Sequence, residues 1–168
     1  MSSAALIDAL STEEARETLV RCCGANAWVN GMLARRPFGD DAGLFRAAEE
    51  IWAAMDTAAI LEALDHHPRI GADLEQLRKR FASTAAWAAG EQAGASAATE
   101  ETLRALRDGN VRYEARFGHI FVVCATGKSA EEMVALLEKR LPNDHATELR
   151  IAAAEQAKIT RLRLEKLQ

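Results

Sequence analysis

Two adjacent imidazoles, His66 and His67, stand directly before Pro68 and are followed by Arg69-Ile70-Gly71. Proline disfavours helical backbone in the residue before it, so His67 is expected as the last helical residue or the first one outside. An imidazole at a helix C-terminus interacts with the dipole and is easily tuned near neutral pH, which suits proton transfer. A His-Pro pair at a helix end is also ordinary punctuation. A second candidate is Glu91-Gln92, an isolated polar pair inside the alanine-rich run from Ser83 to Ala98. A carboxylate beside an amide among small side chains leaves room for a ligand against the backbone, and burial would raise its pKa. The same composition reads equally well as a linker. The third candidate is Arg163. Leu149, Gln156, Ile159 and Arg163 follow at spacings of seven, three and four, which places them on one face of a helix. A buried arginine cannot titrate its charge away, so it needs an acid of the fold, an anionic ligand, or a route to solvent along its stem.

Other chemistries find less support. Neither a CxxC pair nor an HExxH helix is present, and His119 and His145 lie far from His66 and His67 in sequence. A three-histidine metal site would have to be assembled by folding. Three cysteines, two of them the adjacent Cys22 and Cys23, make no disulfide framework and suit a reducing cytoplasm. The 168 residues fit one domain, 1–168, with a core of useful size. Hydrophobic residues at 49% and charged ones at 27% are the balance of a globular protein. Lysine and arginine number 21 against 25 acids, a net charge of -4 that argues against nucleic acid as partner. No apolar run approaches the ~20 residues that span a bilayer. The N-terminal Met1-Ser2-Ser3-Ala4-Ala5-Leu6 lacks the basic start and apolar stretch of a signal peptide. A cytoplasmic protein with no membrane partner is expected.

The elements that must position these residues read as helices. Ser11-Thr12-Glu13-Glu14 has the capping-box pattern and opens a helix through Leu19 and Val20. A second covers Ala25 to Ala34 and stops before Pro37. Gly43 to Met55 carries Leu44, Ala47, Ala48, Ile51 and Met55 at helical spacing. Asp56 or Thr57 then caps the helix whose Ile60, Leu61 and Leu64 lead into His67. Thr99 is expected to cap a long helix, with Glu100 and Glu101 in its first turn. Its Leu103, Leu106, Tyr113 and Phe117 line one face, and it ends at Gly118. Ile120-Phe121-Val122-Val123-Cys124-Ala125 is rich in β-branched residues but has no evident second strand. Its backbone groups must find side chains, water or a ligand, so it is either a ligand-binding edge or a buried connector. Ser129-Ala130-Glu131-Glu132 is a second capping-box pattern, starting a helix through Leu141, and a last helix runs from about Asp144 to Leu167.

Six blocks, in order along nearly the whole chain, resemble the family of 2-oxo-4-hydroxy-4-carboxy-5-ureidoimidazoline (OHCU) decarboxylases. They are Arg36-Pro37-Phe38, His67-Pro68-Arg69-Ile70-Gly71, Glu91-Gln92-Ala93-Gly94, Asn110 to Gly118, Phe121 to Ala125, and Ile159 to Leu164. The resemblance implies an all-α fold: a single-domain helical bundle with one short extended segment near the active site. It implies the last step from urate to (S)-allantoin, with no metal or organic cofactor, and a homodimer. His67 would be the catalytic acid, and Glu91 would hold the substrate's hydroxyl or ring and help set the protonation state of His67. Pro68, Ala88, Glu91, Gln92, Phe121, Val122, Val123, Cys124, Ala125 and Arg163 would bind the ureidoimidazoline substrate. Ala88 is a departure, because the family usually has serine three residues before the Glu-Gln pair. A hydroxyl contact is then missing or is supplied by Ser83, Thr84 or water. Arg69 and Ile70 also replace the aspartate and leucine often found after His-Pro. Two alternatives belong to other classes: a helical ligand-binding or regulatory module without catalysis, and a metal-dependent hydrolase using His66, His67 and His119.

Overall fold

The structure is a computed structural model that describes residues 1–68, 74, 75, 77 and 94–167, and for 94–99 the backbone alone. Among these residues there is no strand; Leu74, Glu75 and Leu77 are helical, and eight further α-helices have defined bounds. They are α1 (Ser3–Ala9), α2 (Thr12–Cys22), α3 (Asn26–Arg35), α4 (Asp41–Ala53), α5 (Thr57–Asp65), α6 (Gly94–Phe117), α7 (Ala130–Arg140) and α8 (His145–Glu165). The protein is all-α. No helix among the described residues is long and apolar enough to cross a membrane. Two compact units share the chain: Met1–His67 with Ile151–Gln168, and Pro68–Arg150.

Side-chain caps start most of the helices, because the first turn leaves N–H groups that need acceptors. Ser11 and Glu14 form the full reciprocal capping box at α2. Asp56 accepts from Ala59 N at 2.8 Å to begin α5, and Ser129 from Glu132 N at 3.1 Å to begin α7. Asp40 caps α4 by accepting from Gly43 N at 2.7 Å, so that helix starts two residues before the glycine expected to open it. The larger correction concerns α6. It begins at Gly94, and Thr99 lies inside its second turn rather than at its cap. Ala95-Ser96-Ala97-Ala98 holds three of the strongest helix formers, which carry the helix back past the threonine. At the other end, Gly118 takes φ +77, a left-handed stop that glycine adopts without steric cost.

In the first unit, Leu19, Trp28, Met32, Leu44 and Leu164 are fully buried, with Ala47 and Ala48 from the expected α4 stripe beside them. Trp28 gives its indole N–H to the carbonyl of Ala48 at 3.2 Å, and Trp52 to that of Ala153 at 2.9 Å. Each ring thereby buries its apolar body without orphaning its donor. Asp8 accepts the backbone N–H groups of Phe38 and Gly39 at 2.9 and 3.1 Å, which ties down the Arg36-Pro37-Phe38 loop.

The core of the second unit joins Leu103, Leu106, Tyr113 and Phe121 to Met133 and Leu137 of α7. Gly109 lets α6 and α7 approach, since a Cβ there would lie 2.2 Å from Leu137 Cδ2. Inside this core sits a charged pair. Glu148 has no exposed surface and Arg140 is buried. Arg140 Nε donates to Glu148 Oε1 at 2.6 Å and Nη1 to the Val122 carbonyl at 2.8 Å. Tyr113 donates its hydroxyl to the same carboxylate, and Asn143 Nδ2 reaches Oε2 at 3.2 Å. The arginine's charge also lies over the Phe121 ring, 4.6 Å from its centroid. Removing one partner strands the other charge in the core. In chemical denaturation Glu148→Ala is expected to cost about 3–5 kcal/mol, and the double replacement Arg140→Met, Glu148→Leu clearly less. A single-variant loss within experimental error would show that the pair is not a supporting element.

Candidate active site

The histidine pair lies where the proline places it. Ala63 and Leu64 anchor the end of α5 in the core. His66 is the C-cap residue, and His67, the first residue beyond it, still gives its N–H to the Leu64 carbonyl at 3.2 Å. Pro68 follows and is exposed. The two rings are held in different ways. His66 Nδ1 lies 3.0 Å from the Glu62 carbonyl, and because that oxygen can only accept, Nδ1 carries the proton. Its ring fills the space over Gly24, where a Cβ would come within 2.2 Å of His66 Cγ. Glycine is required at position 24 by this close approach. Glu62 in turn accepts Asn26 N at 2.6 Å, supplying the cap that Ala25 cannot give α3.

His67 is half-buried and hydrogen-bonds through Nε2 to Gln156 Oε1. Gln156 Nε2 donates to Thr160 Oγ1 at 3.0 Å, and Thr160 is 3.4 Å from the Cys22 carbonyl. A chain of neutral groups thus runs from the imidazole along α8 to the end of α2. Burial lowers the pKa of His67 below its ordinary value, the hydrogen bond to Gln156 opposes this, and the charges of Arg163 and His66 add to the lowering. The ring is therefore neutral at neutral pH. No partner for Nδ1 is present among the described residues.

Arg163 is exposed and meets no acid among the described residues. Its stem carries the guanidinium to the surface, where Nη1 donates to the Arg21 carbonyl in the last turn of α2 at 3.0 Å. On the face it shares with Leu149 and Ile159, which are half-buried, Gln156 alone is fully out of water. Gln156 and Thr160 are the residues that the sequence reading did not single out. The signal was there: Ala152, Gln156, Thr160 and Leu164 repeat every fourth residue, all buried, with two polar side chains among them.

The segment from Phe121 to Ala125 belongs to the second unit, and Phe121, Val122, Val123 and Cys124 are buried. It runs without helix or strand. Two of its carbonyls meet cations: Val122 O accepts from Arg140, and Cys124 O from Lys128 Nζ at 2.7 Å. Side chains thus meet the acceptors of Val122 and Cys124. Ala88, Glu91 and Gln92 lie outside the described residues, as do Arg69, Ile70, Gly71, Ser83 and Thr84. His119 packs edge-on to Tyr113 at 5.6 Å and stacks with Phe117 at 6.1 Å. Among the described residues no group of three potential ligands could hold a metal ion. Cys22 and Cys23 are free, and burial pushes both thiols up to about 11, so they stay protonated at neutral pH.

The site is thus a half-buried histidine at a helix end, hydrogen-bonded to an amide that a threonine hydroxyl holds in turn, in an all-α protein. The chain belongs to the OHCU decarboxylase family, whose sequence profile matches residues 8–165. It is 33% identical over 168 residues to the 2-oxo-4-hydroxy-4-carboxy-5-ureidoimidazoline decarboxylase of Amia calva, covering 95% of this chain and 90% of that protein. To the uric acid degradation bifunctional protein TTL of Arabidopsis thaliana it is 34% identical over 148 residues, 87% of this chain but only 45% of the plant protein. The crystal structure of an OHCU decarboxylase in the presence of (S)-allantoin superposes with a TM-score of 0.70 at 33% identity, covering 88% of this chain and 94% of that one.

The close fit at Gly24 yields a test of how the histidine pair is seated. Gly24→Ala forces the His66 ring away and is expected to destabilise the fold by about 1–3 kcal/mol, the usual cost of overpacking. Chemical denaturation measures the loss, and an unchanged midpoint would mean that His66 is free to move.

Proposed function

We propose that this chain is a carboxy-lyase that converts OHCU to (S)-allantoin in the degradation of urate, with His67 as its proton-transfer residue. The observation that supports this best is the state of His67: a half-buried, neutral ring at a helix end in a chain of this family. The reading extends to Glu91 as the second catalytic group, and to Pro68, Ala88, Gln92, Phe121 to Ala125 and Arg163 as the substrate's surroundings. It takes residues 1–168 as one functional domain, acting in the cytoplasm as a homodimer without metal or organic cofactor.

Decarboxylation breaks the bond between a ring carbon and its carboxylate, and the electron pair left behind needs a sink. The C=N bond of the imidazoline ring takes it as carbon dioxide leaves, and the ring nitrogen gains a proton from solvent. The hydroxyl on the same carbon must then give up its proton to become a carbonyl, and the neighbouring ring carbon must gain one. A neutral His67 serves both transfers: it accepts the hydroxyl proton and returns it to the carbon from one side. That one-sided return sets the configuration of the product. Arg163 and Gln92 would steady the anion between the two steps. A resting neutral ring makes His67 first a base and then an acid, a refinement of the simple donor expected from its ordinary pKa.

The test follows (S)-allantoin by circular dichroism, with urate converted in situ by urate oxidase and hydroxyisourate hydrolase. The protein is expected to give a fast, optically active signal, and His67→Ala to lose at least about 100-fold in rate with its helical spectrum intact. An active and stereoselective His67→Ala variant would overturn the assignment. A protein that leaves only the slow drift to racemate would favour a binding module of the same fold. The pH profile gives a further check. Because the neutral ring is the active form, activity should persist on the acid side of the ordinary histidine value of 6.5 and fall only as pH drops through the lowered pKa of His67.

A further inference from the structure

Gln156 is fully buried on α8, and its amide must satisfy both ends without water. The surrounding groups fix which end faces which. Thr160 Oγ1 lies 3.4 Å from the Cys22 carbonyl, which accepts and cannot donate, so the hydroxyl proton points there. The Thr160 oxygen is then free to accept, and it takes the Gln156 Nε2–H at 3.0 Å. That leaves the amide oxygen turned towards His67 Nε2. An amide oxygen only accepts, so Nε2 must hold the ring's proton. A neutral imidazole has a single N–H, and its lone pair is therefore on Nδ1. Turning the amide over would require the Thr160 hydroxyl to abandon Cys22 and donate to Gln156 instead.

We propose that Gln156, locked by Thr160, is the positioning residue of His67: it pins the proton on Nε2 and leaves Nδ1 as the nitrogen that exchanges protons with substrate. The assignment rests on the reading of His67 as the proton-transfer residue. Gln156 itself is spent on Thr160 and His67, so its effect falls on the ring's orientation and tautomer. Among the described residues, the charges acting on that ring are Arg163 from α8 and the neighbouring His66, while the Cys22 carbonyl of α2 meets Thr160 and not the ring. None of these is an acid. Among the described residues no negative group touches the ring, so a carboxylate introduced at position 156 would add one there, and it would accept the same N–H.

Two variants and two readouts test this. Nitrogen-detected NMR of the free protein reports the tautomer and pKa of His67, and the circular dichroism assay reports turnover against pH. Gln156→Glu is expected to raise the His67 pKa and to move the acid limb of the rate profile upward by the same amount, with turnover at high pH kept within a few-fold. Gln156→Met offers only a weak thioether acceptor in place of the amide oxygen. It should lower kcat by about 10–100-fold, the usual range for a lost orienting partner, with KM little changed and the two ring nitrogens shifted in the spectrum. Thr160→Val, which frees the amide to turn over, should move the same nitrogen shifts without removing the glutamine. Unchanged His67 shifts and pKa in Gln156→Glu and Gln156→Met would overturn the proposal, as would equal loss of activity in Glu and Met variants that remain folded. If the spectra respond as expected but the unaltered protein makes no (S)-allantoin, the pinning stands and the decarboxylase reading falls.

Discussion

Polar groups taken out of water must be partnered, and α8 takes out several. Glu148 near its start has no exposed surface, and Gln156 in its middle has none either. Left alone, the first would cost several kcal/mol and the second somewhat less. Each therefore commits a partner far away in sequence. Glu148 recruits Arg140 and the Tyr113 hydroxyl, and through Arg140 it secures the Val122 carbonyl in the irregular segment. Gln156 recruits His67 and Thr160. The Val122 carbonyl is thereby held through Arg140, and the imidazole directly, by polar residues of α8. An apolar α8 would pack with less penalty, but it would leave the buried Arg140 without its carboxylate and the ring free to turn.

Local chemistry was legible from the sequence, and long-range pairing was not. The Ser11 and Asp56 caps, the stop at Gly118 and the position of His67 just beyond α5 each depend on a few neighbouring residues. The apolar stripes of α4 and α6 were readable for the same reason, since burial on one face leaves a helical period. The start of α6 was misplaced because a threonine followed by two acids imitates a cap, while the alanines before it carry the helix back to Gly94. The contact between Gln156 and His67 spans 89 residues, and no spacing rule encodes it. The Arg140–Glu148 pair escaped for a related reason: charge on a helix normally reads as a solvated face, and only the tertiary fold shows that these two are inside. Glu91, Gln92 and Ala88 remain expectations drawn from the family pattern, because they fall outside the described residues.

The adjacent histidines show how a difference of one residue in placement gives two rings different partners. His66 closes the helix, donates through Nδ1 to a carbonyl of its own turn, and packs on the bare backbone of Gly24. One residue later the chain has left the helix, so the His67 ring has no turn of its own to bond with. It reaches across to α8, and there it meets an amide rather than a carboxylate. The choice of partner has a consequence for the charge state. An acid at that position would favour the imidazolium, whereas a neutral oxygen supports one N–H and leaves burial and the nearby Arg163 to keep the ring uncharged. A ring kept neutral, with one nitrogen engaged and the other open, is equipped to take up a proton and then release it. That sequence matches what loss of carbon dioxide from a hydroxy acid demands, since a hydroxyl proton must leave before a carbon can gain one. A permanently charged His67 would hold a proton to give and have no lone pair with which to collect the next.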